Sequence, residues 1–343
     1  MTWLSQISDK AAHLTSVLGI RAPVLSAPMW GVTTPQMVAA VSNAGGLGVL
    51  PSALLGGEAL CEAIAEVKKL TDRPFAVDLR VPLREPESAA KTQQIFEALE
   101  PLRDELGAPH TMPSVPDFEE QFEAILASDV PAVRFSFGGP REVYAEALEA
   151  RHIVMIGCVN STREAKVLKT AGCQVIIAQG VEAGGPRQFF ENPHEASQIG
   201  LMALLPPVVR VCGDVSVVAS GAMMTAKSMM AAMMLGASGV EVGSLLVRTD
   251  ESAWPKAMKD QVPWCDDAAT RLTDMTNGRM TRVVPTGLAE ALAGAGLEAA
   301  PYPGQLKALH TVYEAAQAQG RLDLMEMPLG QAAQPAPTGS AQA

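Results

Sequence analysis

Hydrophobic and polar positions along this chain follow a repeating two-part rhythm. A short, nearly continuous apolar run comes first, then a longer stretch with helical spacing. Apolar runs at 23–29, 46–51, 75–81, 132–137, 153–159, 175–180, 215–220 and 239–247 predict eight strands. Helical patterns at 34–44, 58–70, 118–127, 140–150, 162–171, 197–212 and 225–235 fall between them, with a longer charged helical region at 87–106. The apolar runs lack period-two polarity, which is how strands buried on both faces read. Eight such units predict an α/β fold, a closed (β/α)8 barrel; an open doubly wound sheet more often has five or six strands. Ahead of the first strand, Leu4, Ile7, Ala11 and Leu14 share one face of a helix within 1–20. The barrel then occupies residues 1–248. Residues 249–330 contain no clear barrel strand and predict a C-terminal helical cap over the barrel mouth. Residues 331–343 are low in complexity, lack bulky apolar side chains and predict a disordered tail.

Composition narrows the function classes. The chain has 343 residues, 48% of them hydrophobic and 18% charged, which excludes disorder for most of its length. Its 26 Lys+Arg against 37 Asp+Glu give a formal net charge of −11. That balance argues against nucleic acid or an anionic membrane as the main partner, and a 4% aromatic content argues against base-stacking surfaces. No run reaches the ~18–20 uncharged apolar residues that span a bilayer. The N-terminal stretch carries Asp9, Lys10 and His13 and does not read as a signal peptide. The cysteines at 61, 158, 173, 212 and 265 are odd in number with no C-x-x-C spacing, which fits a reduced, cytoplasmic setting. His13, His110, His152 and His310 show no metal-ligand spacing, so no metal is expected.

In such barrels the strand C-termini carry the chemistry, and the loops after strands seven and eight usually hold phosphate. Here those ends carry Gly221-Ala222 and Gly243-Ser244. Glycine lets backbone N–H groups approach an anion closely; the alternative is ordinary turn glycine. The sixth strand ends in Gln179, followed by Glu182, Gly184, Gly185, Pro186 and Arg187. An amide beside two glycines suits the edge of a flat heterocycle, or simply a tight loop. Strand one ends in Ala27-Pro28-Met29, and strand three carries Asp78 in an apolar run, as a ligand contact or a salt-bridged structural group. The methionine pairs at 223–224, 229–230 and 233–234 read as a helical stripe for core packing or a homo-oligomer contact.

APMWG, SNAGGLGVL, DRPFAVDL, AQGVEAGG, ASGAM and LGASGVEVGSLL, in that order, resemble the nitronate monooxygenase family, formerly 2-nitropropane dioxygenases. Related proteins include FMN-dependent enoyl-acyl-carrier-protein reductases and an NAD(P)H:quinone reductase. The resemblance runs from about residue 20 to residue 248, and more loosely to about 288 through TNGRMTRVV. It implies a TIM barrel holding non-covalent FMN. Ala27, Pro28 and Met29 would then lie beside the ring system, with Gln179, Gly184 and Gly185 in the strand-six loop. Gly221, Ala222, Gly243 and Ser244 would cradle the phosphate. Asp78 stands where the family usually has Asn, and Glu241 where Gln is common.

The family's strand-six motif ends in Gly-Gly-His, and that histidine is the catalytic base in nitronate oxidation. Here the position is Pro186, which has no ionisable side chain. Acid/base candidates elsewhere are His194, Glu182, Arg187, Asp78 and Cys158, with Arg187 also suited to an anionic substrate. The expected function is an FMN-dependent oxidoreductase that oxidises a small nitronate or nitro compound, passing electrons to O2 or an organic acceptor. One alternative is an NAD(P)H-dependent reductase of enones, quinones or enoyl thioesters. Another, from a different class, is a non-catalytic flavin- or phosphate-ligand-binding protein.

Overall fold

A computed structural model describes residues 3–83, 88–191 and 194–343, without the side chains of Trp3, Leu4, His194 and Glu195. Eight parallel strands form a barrel: Val24–Ser26, Gly48–Pro51, Phe75–Arg80, Ala132–Ser136, Val154–Val159, Val175–Gln179, Ser216–Ser220 and Gly239–Val242. Each strand pairs with its sequence neighbour, and the eighth pairs with the first. Strands one and two close the ring through a bridge between Leu25 and Leu47. The predicted eight-unit barrel is therefore the observed architecture.

Helices start where the sequence supplies caps. Thr34 Oγ1 accepts from Met37 N–H at 3.1 Å ahead of Pro35, and Gly45 ends that helix at φ +104°. Ser161 and Asp117 cap the helices Thr162–Thr170 and Phe118–Ala127 in the same manner. The helix-rich stretch between strands three and four holds Ala89–Ala98, Glu100–Leu106 and Phe118–Ala127.

Two apolar cores result. One lies between sheet and helices. The other fills the barrel from Leu25, Val49, Ala76, Ala132, Ile156, Val175, Ile177 and Val218. Leu14 and Leu18 of the helix Trp3–Leu18 belong to that inner core, so this helix stoppers the barrel's lower end. Along the strands the inner face alternates: Ala76 is followed two residues later by Asp78, Ala132 by Arg134, Ile177 by Gln179 and Val218 by Ser220. The inner lining thus changes from apolar to polar toward the strand C-termini.

Four expectations need correction. The eighth strand ends at Val242, and Ser244–Val247 form turns, so the predicted run to 247 is too long. The cap is not purely helical. Beside the helices Lys256–Gln261, Gly287–Gly294 and Gly304–Gln319 it contributes Arg271–Thr273 and Thr281–Val283 to an antiparallel sheet with Gly185–Pro186. The methionines do not form one stripe. The helix begins at Ala226, so Met223 and Met224 precede it, while Met230 and Met234 are exposed.

The tail expected to be disordered is packed. Ala333 and Ala336 are each 1% exposed. Gln331 N–H donates to Glu182 O at 3.0 Å, Arg248 Nη1 to Ala336 O at 2.7 Å, and Asp250 N–H to Gly339 O at 2.9 Å. Small side chains let its backbone lie flush on the barrel mouth. Composition alone reads such a segment as unstructured, because the stabilising contacts are main-chain hydrogen bonds to distant residues.

Candidate active site at the barrel mouth

One cavity opens at the C-terminal ends of the strands. Most residues singled out from sequence meet there: Ala27, Pro28 and Met29; Asp78; Gln179, Gly184 and Gly185; Gly221 and Ala222; Glu241, Gly243 and Ser244. Pro186 lies in the same wall.

The phosphate-cradle candidates show backbone chosen for close approach. Gly221 and Ala222 are successive left-handed residues, at φ +117° and +56°. An alanine held there is strained, and such strain clusters at ligand sites. A Cβ at Gly243 would stand 3.3 Å from Ala27 Cβ and 3.5 Å from Met29 Sδ, so a side chain there would crowd the wall between strands one and eight. Ser244 Oγ accepts from Gly330 N–H at 3.0 Å and keeps its own O–H to donate. Gly184 is required by packing. A Cβ there would come within 2.6 Å of both Gly330 N and Leu329 C in the tail.

Asp78, expected as a ligand contact or a salt-bridged structural group, shares with Glu241 a buried ion-pair network whose arginine was not singled out from the sequence. Arg134, from strand four, lies between them. Its Nη1 is 2.7 Å from Asp78 Oδ1 and its Nε 3.0 Å from Glu241 Oε2. Ser136 Oγ donates to Asp78 Oδ1 at 2.6 Å, and Ser220 Oγ to Glu241 Oε1 at 2.8 Å. Burial works against the guanidinium charge, but Glu241 and Asp78 outweigh it and hold the Arg134 pKa above its usual value. The two carboxylates therefore reach the cavity partly neutralised. The one available signal was an arginine inside the apolar run AVRFSF.

Glu182 and Arg187, two of the catalytic candidates, sit elsewhere. The Glu182 carboxylate accepts from Leu201 N–H at 2.9 and 3.1 Å and so caps the helix Leu201–Cys212. Arg187 is fully buried behind the cavity wall. It donates to Gln179 Oε1 at 2.8 Å, to Gly180 O at 2.6 Å and to Ser197 O at 2.9 Å. Burial lowers its pKa to about 10. Both residues are structural struts of the strand-six loop. Arg187 fixes Gln179, whose Oε1 also accepts from Asn160 Nδ2 at 3.0 Å. Burial pushes the Cys158 thiol up to about 12, which removes it as a base near neutral pH. The side chain of His194 lies outside the described residues.

The cap side of the cavity supplies groups that sequence reading did not single out. Arg80, at the end of strand three, donates from Nη1 to Tyr302 Oη at 2.8 Å. Its guanidinium carbon lies 5.5 Å from the centre of the Phe137 ring and 5.8 Å from that of Tyr302. Glu326 and Asn277 complete this wall, with Asn277 Nδ2 3.0 Å from Glu326 Oε1. Burial raises the Glu326 pKa, against the opposing pull of Asn277 and Arg80. No sequence pattern links these four, because they come from one strand end and three separate cap segments.

Comparison with known proteins agrees with this geometry. The family model described as nitronate monooxygenase matches residues 11–341. A nitronate monooxygenase of Pseudomonas aeruginosa is 36% identical over 331 residues, covering 94% of this chain and 93% of the relative. A probable nitronate monooxygenase of Staphylococcus saprophyticus is 34% identical over 279 residues, covering 79% and 78%. Among solved structures, nitroalkane oxidase from Streptomyces ansochromogenes superposes with a TM-score of 0.85 at 29% identity, covering 96% of this chain and 94% of that one. FabK from Thermotoga maritima gives 0.75 at 25% identity, covering 96% and 92%. With the barrel, the cavity and these likenesses in agreement, the chain belongs to the nitronate monooxygenase family and is an oxidoreductase.

Proposed function

We propose that this protein is an FMN-dependent oxidoreductase that oxidises a small nitronate or nitro compound with O2 as electron acceptor. The observation that carries the reading is the single cavity joining the glycine-rich ends of strands seven and eight to the Gln179–Gly185 loop and Met29. Its residues fit the cofactor. Gly221, Ala222, Gly243 and Ser244 would hold the phosphate through backbone N–H groups and one hydroxyl. Ala27, Pro28, Met29, Gln179, Gly184 and Gly185 would line the ring, with Asp78 and Glu241 beneath, partly balanced by Arg134. Bound FMN would supply the two-electron redox chemistry that no side chain here can.

The chain's own part is binding and charge. A nitronate carries its negative charge on the nitro oxygens. Arg80 is the cavity-lining guanidinium without a carboxylate in a direct ion pair among those described, so it would hold that charge. A nitronate arrives already deprotonated, so Pro186 does not obstruct its oxidation. Purified protein should be yellow, retain FMN on gel filtration, and consume O2 with a nitronate. Colourless protein that takes up no added FMN would overturn the reading.

Pro186 also favours a second reading. An NAD(P)H-dependent reductase of enones, quinones or enoyl thioesters takes its hydride from the nucleotide and needs no base at that position. Prompt loss of flavin colour with NADPH, and none with a nitronate, would select it.

A further inference from the structure

We propose that Glu326 is this enzyme's proton acceptor for neutral nitroalkanes, in place of a base at position 186. The inference rests on the proposed function and extends it from nitronates to their conjugate acids.

Position 186 and Glu326 are tied through the cap sheet. Pro186 is the register partner of Thr281. Arg279 N–H donates to Asn277 Oδ1 at 3.0 Å, and the Thr281 hydroxyl lies between that oxygen, at 3.1 Å, and Arg279 O, at 2.8 Å. With its oxygen held by the Arg279 N–H, the Asn277 amide turns its Nδ2 to Glu326 Oε1. Glu326, Asn277, Pro186 and Arg80 line one cavity. The strand pair that would carry a family histidine thus positions a carboxylate instead.

The charged and titratable groups around Glu326 suit that task. Arg80 faces it from strand three, bonded to Tyr302. Tyr313 faces it from the helix Gly304–Gln319. Burial raises the Tyr313 pKa well above its ordinary value, and its hydroxyl donates to Thr276 O at 3.1 Å, so it stays neutral. Burial also raises the Glu326 pKa from its ordinary value, the direction a general base needs. In the step itself the α C–H bond of the nitroalkane breaks and its proton passes to the Glu326 carboxylate. The electron pair enters the new C=N bond, and the negative charge settles on the nitro oxygens, where Arg80 supplies the opposite charge. No electron is transferred and no co-reactant is needed.

Exchange of the α-proton therefore reports the step without flavin turnover. FMN-loaded protein is incubated anaerobically with nitroethane in D2O, and loss of the α-proton signal is followed by NMR. Exchange above the buffer rate is expected, reduced by roughly 100-fold in Glu326→Gln and partly recovered in Glu326→Asp. In the wild type its rate should rise with pH through the ionisation of a single group, at a pH above the ~4.3 of a free glutamate. Exchange at the buffer rate in the wild type, a pH-independent rate, or full exchange in Glu326→Gln would each overturn the proposal. Flavin reduction by preformed ethyl nitronate is measured alongside. Its absence in the wild type would refute the proposed function, whereas the exchange data judge Glu326 separately.

Discussion

The floor and the roof of the cavity use charge in opposite ways. On the floor, Asp78, Arg134 and Glu241 project from three barrel strands and are 3%, 2% and 2% exposed. Each carboxylate receives both the guanidinium and a serine hydroxyl. On the roof, Glu326 accepts from an amide, and Arg80 donates to a phenol. Charge that is directly paired is fixed, because losing either partner strands the other in a low dielectric. A carboxylate held by a neutral partner can gain or lose a proton with less disturbance. The floor is therefore built to hold position, and Glu326 in the roof to change state, while Arg80 keeps its charge.

Removing Arg134 should break that contrast most severely. Arg134→Met leaves two buried carboxylates unpaired and is expected to cost about 3–5 kcal/mol in chemical denaturation. A cost below ~1 kcal/mol, the ordinary worth of an exposed pair, would show that the floor is not a true buried network. Gly184→Ala forces a methyl against the tail at Leu329–Gly330. Overpacking of this kind costs about 1–3 kcal/mol, and here it should also weaken FMN retention, read by equilibrium dialysis.

Glu182→Ala removes a helix-capping acceptor, worth about 1 kcal/mol of thermal stability. Flavin reduction by a nitronate should proceed in it at the wild-type rate; a large loss would return Glu182 to the catalytic list.

The smallest effect has the opposite sign. Because burial raises the Glu326 pKa, the folded state holds that proton more tightly than the unfolded chain. Its contribution to stability is present below the free-glutamate value of ~4.3 and is lost as pH rises through the raised folded value. Glu326→Gln should therefore have a Tm at or above wild type at neutral pH, where Arg134→Met has one far below.

The barrel and much of the cavity wall were legible in the sequence, for a physical reason. Strands buried on both faces leave long apolar runs, and the glycines at 184, 221 and 243 mark backbone that must come close to something. What escaped was part of the polarity on the buried inner face. Asp78 and Gln179 stood out, but Arg134 stands two residues beyond the inner position Ala132, and it and its partner Ser136 fall inside a run that reads as uniform. Arg187 and Glu182 looked catalytic because a charged pair beside two glycines resembles a site. Instead Arg187 donates to main-chain oxygens of the strand-six loop, and Glu182 accepts from the first N–H of the helix Leu201–Cys212. The roof was invisible for another reason. Arg80, Asn277, Tyr302 and Glu326 are spread over nearly 250 residues of sequence and meet only through the tertiary fold.

The central claim, that this cavity holds FMN and passes it electrons from a nitronate, is tested most directly by anaerobic stopped-flow mixing of the purified, FMN-loaded protein with propyl nitronate. The visible flavin absorbance is expected to bleach, and to return when O2 is admitted. Flavin that stays oxidised with the nitronate yet bleaches at once with NADPH would contradict it.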